Sequence, residues 1–243
     1  MAKFFVPGVH QIGDIINISG ADAKHLTKVL RKAENDDIIL CDAHQTDYKA
    51  TILRVGDTAE LKVIDKWANQ AEPKIRVTIY QALPKGDKME GIVKKCTELG
   101  ISEIVPFKCA RVIVKADEQK HTQRTAKWQR TADESVKQCM RGAIPKVCQV
   151  MNFNEMVALA KNHRLAIMAY ELCESVTLRS VLSGTDADDI GIIIGPEGGF
   201  EPTEVELAAD AGINIVTLGK RILRVETAAA AVLSAVMYHF NEF

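Results

Sequence analysis

The sequence predicts a small β-barrel followed by an α/β domain built on a parallel sheet. Three observations carry this. Up to about residue 66 the chain reads as short strands with a single helix; from Lys66 to Pro73 it turns polar and ends in proline; beyond Pro73 strands and helices alternate to the end. The expected domains are therefore residues 1–72 and 73–243.

In the first part the expected strands are Ile15–Ile18, Ile38–Cys41, Tyr48–Val55 and Ala59–Asp65. The segments Glu34-Asn35-Asp36-Asp37 and Val55-Gly56-Asp57 separate them, because Asn, Asp and Gly favour turns. Trp67-Ala68-Asn69-Gln70-Ala71-Glu72-Pro73 reads as the linker. Ile75–Leu83 is then a strand, after which Met89, Ile92, Val93, Cys96 and Leu99 recur at helical spacing until Gly100 stops the helix. Ile101–Phe107 is the next strand, followed by a long helix over Thr122–Met140, a strand over Val147–Met151 and a helix over Asn154–Lys161. Strands Leu165–Tyr170, Ile190–Ile194 and Ile215–Leu218 complete the set, with helices Pro202–Ala211 and Thr227–Phe240 after the last two. Repeated β-α alternation implies parallel strands with helices on both faces. In the final helix Ala228 to Ala231 carry little bulk, which permits close approach of the same sheet or of a second subunit.

With 243 residues, 47% of them hydrophobic, the chain can bury a sizeable core. A net charge of -1 argues against indiscriminate coating of nucleic acid. The mean hides two basic runs: Lys24, Lys28, Arg31 and Lys32, and then Lys108, Arg111, Lys115, Lys120, Arg124, Lys127 and Arg130. Each suits a plain solvated face or a surface that tracks phosphates. The six cysteines contain no Cys-x-x-Cys pair, so neither a disulfide framework nor a metal site is expected. No apolar run approaches the roughly 18 residues that span a bilayer, and Met1-Ala2-Lys3-Phe4-Phe5 does not begin a signal peptide. A cytoplasmic protein without a membrane partner is expected.

Two loops carry the chemistry. The apolar strand Ile192-Ile193-Ile194 runs into Gly195-Pro196-Glu197-Gly198-Gly199-Phe200, whose glycines allow a ligand to approach the backbone closely. The second loop, Leu218-Gly219-Lys220-Arg221-Ile222-Leu223-Arg224-Val225-Glu226-Thr227, also follows a short strand and leads into a helix. Open α/β sheets bind ligands outside the carboxyl ends of their strands, where both loops should lie. The first is not a P-loop, since no Lys-Ser or Lys-Thr pair follows its glycines, nor is it a Gly-x-Gly-x-x-Gly dinucleotide fingerprint. Glu197 would repel a phosphate, so the turn suits a ligand that is neutral or cationic there. Arg221 and Arg224 suit phosphates and base edges. In the plain structural reading Thr227 or Glu226 caps the helix, and the arginines pair with Glu197 and Glu226.

Taken together, the two loops closely resemble the signature motifs of the RsmE family, S-adenosylmethionine-dependent methyltransferases of the SPOUT superfamily that modify N3 of a uridine in 16S ribosomal RNA. The resemblance covers nearly the whole chain. His25-Leu26-Thr27-Lys28-Val29-Leu30-Arg31 is similar to the family's His-x-x-x-Val-Leu-Arg element, and Lys85-Gly86-Asp87-Lys88-Met89-Glu90 through Glu98-Leu99-Gly100 to its Lys-Gly-x-Lys-Met-Glu and Glu-Leu-Gly segments. It implies a SPOUT-type parallel sheet with a C-terminal trefoil knot, a PUA-like β-barrel before it, and a homodimer formed partly by the alanine-rich helix. The methyl donor would lie against Ala169-Tyr170-Glu171, Ile194-Gly195-Pro196-Glu197-Gly198-Gly199, Leu218-Gly219, Ile222-Leu223, Arg224 and Thr227.

Arg224, and after it Arg221, would stabilise the anion formed at the uracil as N3 loses its proton, with Glu197 or Glu226 as general base. Lys24, His25, Lys28, Arg31, Lys85, Lys88, Gln138 and Arg141 would contact 16S ribosomal RNA, within the small ribosomal subunit. Two positions depart from the family pattern: Lys137 stands where a glutamate is common, and Lys3 where an arginine is usual. A related methyltransferase acting on a ribose 2′-oxygen or another base, and a non-catalytic RNA-binding module, remain the alternatives. A nucleoside-triphosphate enzyme is disfavoured by the missing phosphate-loop lysine.

Overall fold

The structure is a computed structural model that describes residues 3–112 and 118–243, apart from the side chain of Glu118. Met1, Ala2, and Lys115 of the second basic run lie outside the described residues. The chain divides into two compact units, one of residues up to 72 together with 134–144, the other of residues 73–133 and 145–243.

The first unit holds a five-stranded sheet of β1 (Lys3–Phe5), β2 (Ile15–Ser19), β3 (Asp37–Cys41), β4 (Thr46–Arg54) and β5 (Thr58–Ala68), in the order β1-β3-β4-β5-β2. The alternation that predicted the strands decides their faces: Ile16 and Ile18 are buried, while Ile15, Asn17 and Ser19 are exposed. Register shifts between β4 and β5 at Lys49/Ala50 and Ile52/Arg54 let these long strands bend around the core of Phe4, Leu26, Leu40, Tyr48 and Leu61. The strand β1 was not expected, because three residues are too short to show a period. Helix α1 (Gly20–Lys24) widens into a π-helical turn over His25–Val29, with Leu30 N–H donating to His25 O at 3.0 Å. Arg31 follows in the left-handed region at φ 53°.

The expected linker is a correction. β5 continues to Ala68, and the polar residues after it are polar because they are bonded. Asn69 Nδ2 donates to Asp47 Oδ2 at 2.8 Å and to Met140 O at 3.1 Å. Glu72 Oε2 takes Arg141 Nη2 at 2.8 Å, and Glu72 Oε1 takes the backbone N–H groups of Gly142 and Ala143 at 2.8 and 3.0 Å. Lys3 is buried and satisfied: its Nζ donates to both oxygens of Asp47 at 2.8 Å, to Met140 O at 2.8 Å and to Arg141 O at 3.1 Å. Residues 134–144 are thus stitched into this unit by buried ionic contacts that leave few donors or acceptors unpaired.

The second unit contains β6 (Arg76–Ala82), α2 (Lys88–Glu98), β7 (Glu103–Lys108), the start of α3 (Glu118–Cys139), β8 (Lys146–Val147), β9 (Met151–Asn152) and α4 (Phe153–Ala160). β10 (Leu165–Ala169), α5 (Leu178–Ser183), β11 (Asp189–Ile194), α6 (Pro202–Asp210), β12 (Asn214–Val216) and α7 (Val225–His239) complete it. The strands form one seven-stranded sheet ordered β12-β10-β11-β6-β7-β8, with β9 also on β7, and every described pairing is parallel. Alternation along β6 sends Val77 and Ile79 to one face, against Met89, Ile92 and Cys96 of α2 and Val232, Val236 and Met237 of α7. Tyr80 and Ala82 go to the other face, against Phe153, Met156 and Val157 of α4 and Ala208 of α6. Helices therefore cover both faces, as the alternation predicted.

Three details differ from expectation. The strand read over 147–151 is two short strands, β8 and β9. Helix α5 was not read; its signal is Thr177, whose Oγ1 accepts the Ser180 N–H at 3.1 Å as an N-cap. In α7, Ala228 and Ala229 are buried in the core of the unit, so their small size serves close packing on the same sheet. No helix among the described residues is long and apolar enough to cross a membrane.

Candidate functional site

The first wall of the site grows out of β11. Its buried isoleucines deliver the chain to Gly195, where a Cβ would stand 2.9 Å from the Phe200 ring. Glycine is needed here so that Phe200 can tuck back under the turn. That ring is buried, stacks on Phe107 at 6.4 Å and 3°, and meets Phe153 edge-on at 6.1 Å. The turn closes with Gly199 N–H donating to Pro196 O at 3.0 Å. Gly199 has φ +68°, and a Cβ there would fall 2.2 Å from Glu171 Oε1, so torsion and space both require glycine.

The second wall follows β12. Thr217 N–H donates to Val176 O at 2.8 Å, and Leu178 N–H to Thr217 O at 3.4 Å, which holds the start of this loop beside the segment that follows β10. Gly219 turns the chain at φ +99°, and α7 begins beyond Arg224, its N-cap residue. Among the described residues no side chain caps this helix, which corrects the expectation that Thr227 or Glu226 would.

Between the walls lies a cleft of about 1050 Å³ at the carboxyl ends of β10 and β11, at the upper end of the roughly 300–1,000 Å³ of small-molecule sites. It brings together Ala169, Tyr170, Glu171, Ile194, Gly195, Pro196, Glu197, Gly198 and Gly199 with Leu218, Gly219, Arg221, Ile222, Leu223 and Arg224. Thr227 is exposed on α7 and does not line it; Val225 and Ala228 of the same helix do. Sequence reasoning also missed Cys173, Glu174, Thr217 and Lys220 on the wall. Thr217 and Lys220 adjoin the second motif and could have been read from it. Cys173 and Glu174 follow Glu171 in a loop without any motif.

The expected ion pairs are rearranged. Glu197 pairs with Lys88, whose Nζ donates to Glu197 Oε1 at 2.6 Å, and Lys85 N–H donates to the same oxygen at 3.1 Å. Burial alone would raise the Glu197 carboxyl, but the hydrogen bonds from Lys88, its own backbone and Lys85 outweigh it and hold the pKa below the usual carboxylate value. Arg221 and Arg224 line the cleft, are exposed and make no salt bridge or side-chain hydrogen bond among the described residues. Glu226 is not on the wall; its Oε2 is enclosed without a hydrogen-bond partner among the described residues. The cleft thus carries carboxylates at Glu171, Glu174 and Glu197 and cations at Lys88, Lys220, Arg221 and Arg224. It suits a ligand bearing both signs of charge.

The expected RNA contacts divide. Lys24, His25, Lys28 and Arg31 are exposed together on the α1 turn, with His25 edge-on to Phe4 at 5.9 Å. Gln138 is exposed as well. In the second unit Lys85 is exposed, whereas Lys88 lines the cleft and is committed to Glu197. Arg141 is a correction: it is 3% exposed and locked to Glu72, so it cannot reach an RNA. Lys137 pairs with Asp22 at 2.8 Å. Burial pushes the thiols of Cys41, Cys96 and Cys109 up to about 12 and that of Cys148 to about 11, which leaves them neutral and structural.

A parallel α/β sheet with a mixed-charge cleft outside the carboxyl ends of its strands defines a class of α/β proteins that hold a small ligand at that edge. Residues 71–237 match the RNA methyltransferase domain family, and residues 18–65 match the RNA methyltransferase PUA domain. The ribosomal RNA small subunit methyltransferase E of Bacillus subtilis is 33% identical over 91% of this chain and 89% of its own length. That of Mesomycoplasma hyopneumoniae is 30% identical over 96% and 98%. The crystal structure of the ribosomal RNA small subunit methyltransferase E of Neisseria gonorrhoeae, bound to S-adenosyl methionine, superimposes with a TM-score of 0.85 at 28% identity, covering 98% of this chain and 97% of that one. The chain belongs to the RNA methyltransferase family that includes these ribosomal RNA small subunit methyltransferases E.

Proposed function

We propose that the protein uses S-adenosylmethionine to methylate 16S ribosomal RNA of the small ribosomal subunit at N3 of a uridine. The observation that carries this reading is the cleft of about 1050 Å³ walled by the two motif loops, with two arginines on its lining that no described residue pairs. Its charges fit the donor: Glu171 and Glu174 suit cationic groups, while Lys220, Arg221 and Arg224 suit a carboxylate and the incoming nucleotide.

When bound, the donor supplies an electrophilic methyl group on a positive sulfur. The protein's part is to align and to exclude water. Gly195–Gly199 and Leu218–Leu223 form the donor walls, and Arg224, with Arg221 beside it, holds O2 or O4 of the uracil. As N3 gives up its proton to solvent water on entering the cleft, the base becomes an anion, and a guanidinium fork at an oxygen stabilises that charge more than it does the neutral base. Glu197 is tied to Lys88 and Lys85, so it shapes the wall instead of taking the proton. The N3 edge is hidden by pairing in a duplex, so the target uridine has to be unpaired or flipped out. Lys24, His25, Lys28 and Arg31 of the first unit, and Lys85 of the second, track the surrounding backbone.

In this reading residues 1–72 form the RNA-binding PUA-like β-barrel domain and residues 73–243 a methyltransferase domain with a C-terminal trefoil knot. The path of the chain supports the knot. β12 stands at the edge of the sheet, whereas α7, which follows it, packs on β6 and β11. The connection therefore passes β10, hydrogen-bonded to Val176 and Leu178 as it goes. The protein acts as a cytoplasmic homodimer, with the exposed Ala231 and Tyr238 face of α7 available to a second copy.

Calorimetry of the purified protein with S-adenosylmethionine, followed by transfer of a labelled methyl group to small-subunit RNA, tests the reading. Donor binding and transfer are expected. RNA retention without donor binding would instead make the chain a non-catalytic RNA-binding module.

A further inference from the structure

We propose that Arg111 is the positioning residue of the methyl-donor site, holding the turn Gly195–Gly199 in its binding shape through the geometry of its fork and not through its charge. The inference rests on the reading of the cleft as a donor site. Arg111 lies beyond the end of β7, in a run of basic residues that sequence reasoning could assign only to a solvated or phosphate-tracking face. Its guanidinium is instead spent inward. Nε donates to Glu201 Oε1 at 2.8 Å, Nη2 to Glu201 Oε2 at 3.2 Å, and Nη1 to the carbonyl oxygen of Gly198 at 2.8 Å.

A second strut lies beside the first. Ala110 N–H donates to Glu204 Oε1 at 2.8 Å, and Glu204 Oε2 accepts the Glu201 N–H at 3.0 Å. Residues 110–111 thus grip both the glycine turn and the start of α6. Gly198 confirms how close the grip is. It has no positive φ, so torsion does not demand glycine there, yet a Cβ would sit 3.3 Å from Arg111 Cβ and 3.6 Å from Arg111 Cδ. What the missing side chain makes room for is the stem of Arg111.

Gly198 and Gly199 belong to the cleft wall, so whatever fixes the Gly198 carbonyl fixes the wall a donor would touch. Lysine at this position keeps the charge, but a single ammonium cannot reproduce a fork that spans Glu201 and the Gly198 carbonyl together. Arg111 and Glu201 side chains are each 41% exposed, and a solvent-screened pair of this kind contributes little to global stability. The role is therefore expected to show in donor binding and not in the melting temperature.

The test is S-adenosylmethionine affinity by calorimetry, with steady-state KM for donor and for RNA, in wild type, R111A, R111K and E201Q. Weakening of donor binding by about tenfold is expected in both R111A and R111K, and a smaller loss in E201Q. The donor KM should rise in proportion, while the RNA KM stays within about twofold of wild type and the melting temperature moves little. Wild-type donor affinity in R111A overturns the proposal, as does full rescue by R111K, which would make charge the cause. A raised RNA KM at unchanged donor affinity also overturns it, by making Arg111 a phosphate contact. If R111A does not fold, R111Q, which keeps the stem over Gly198, is read in the same way. Failure of the wild type itself to bind donor would sink the donor-site reading, a separate outcome.

Discussion

Lys88 Nζ donates to Glu197 Oε1 at 2.6 Å, tying the first turn of α2 to the acidic corner of the glycine turn. A carboxylate spent on a lysine and on a backbone N–H is an anchor for one wall of the cleft. It is a weak base, because its pKa is held below the ordinary value of 4.5.

Glu197 should therefore not shape the neutral limb of the pH–rate profile. Its folded pKa is depressed, so its contribution to stability is present above the unfolded value and fades as pH falls through the folded one, below about pH 4.5. Solvent screening keeps that contribution within about 1 kcal/mol. E197Q is expected to weaken donor binding a few-fold while leaving the profile between about pH 6 and 9 unchanged in form. Loss of a titrating limb in E197Q would make Glu197 the base after all.

Arg224 contributes its backbone carbonyl to α7, which accepts the Ala228 N–H at 2.8 Å, while its side chain makes no salt bridge or hydrogen bond among the described residues. R224A should preserve the helix start and donor affinity yet lower kcat by roughly 10²–10³-fold, the loss seen when one donor to a developing anion is removed. Single-turnover kinetics beside calorimetry would check it. Near-normal turnover would remove Arg224 from the mechanism.

The buried pairs of the first unit should behave as structure. Arg141 and Glu72 have side chains only 4% and 7% exposed, and Lys3 and Asp47 only 0% and 7%. R141A or D47A leaves an uncompensated buried charge, expected to destabilise by about 3–5 kcal/mol in urea denaturation. A stable R141A protein with weakened RNA binding would return Arg141 to the RNA surface.

The exposed turn around His25 should behave oppositely. K24E and K28E are expected to leave stability and donor affinity alone, to weaken RNA binding, and to flatten its salt dependence by about 0.7–0.9 in log-log slope per lost phosphate contact. Filter binding across a salt series measures this. An unchanged slope would leave these lysines as solvated charge.

Much of this was legible in the chain because the signals are local. The isoleucines of β11 and the Met89-to-Cys96 spacing of α2 follow from period alone, and the glycines at 195 and 199 announce a turn that no other residue fits. What escaped depends on distant partners. Nothing near Asn69, Glu72 or Arg141 reveals that they meet in one buried network, so a structured segment read as a linker and a core arginine as an RNA contact. Lys88 and Arg111 looked like surface charge for the same reason: their partners Glu197 and Glu201 lie 109 and 90 residues away. β1 and α5 are too short for periodicity to register.

The central claim is tested most directly by incubating the protein and labelled S-adenosylmethionine with small ribosomal subunits that lack the modification, with free RNA alongside, and identifying the product nucleoside by mass spectrometry. The account predicts N3-methyluridine at a single site. A methylated ribose, a different methylated base, or no transfer to either substrate would contradict it.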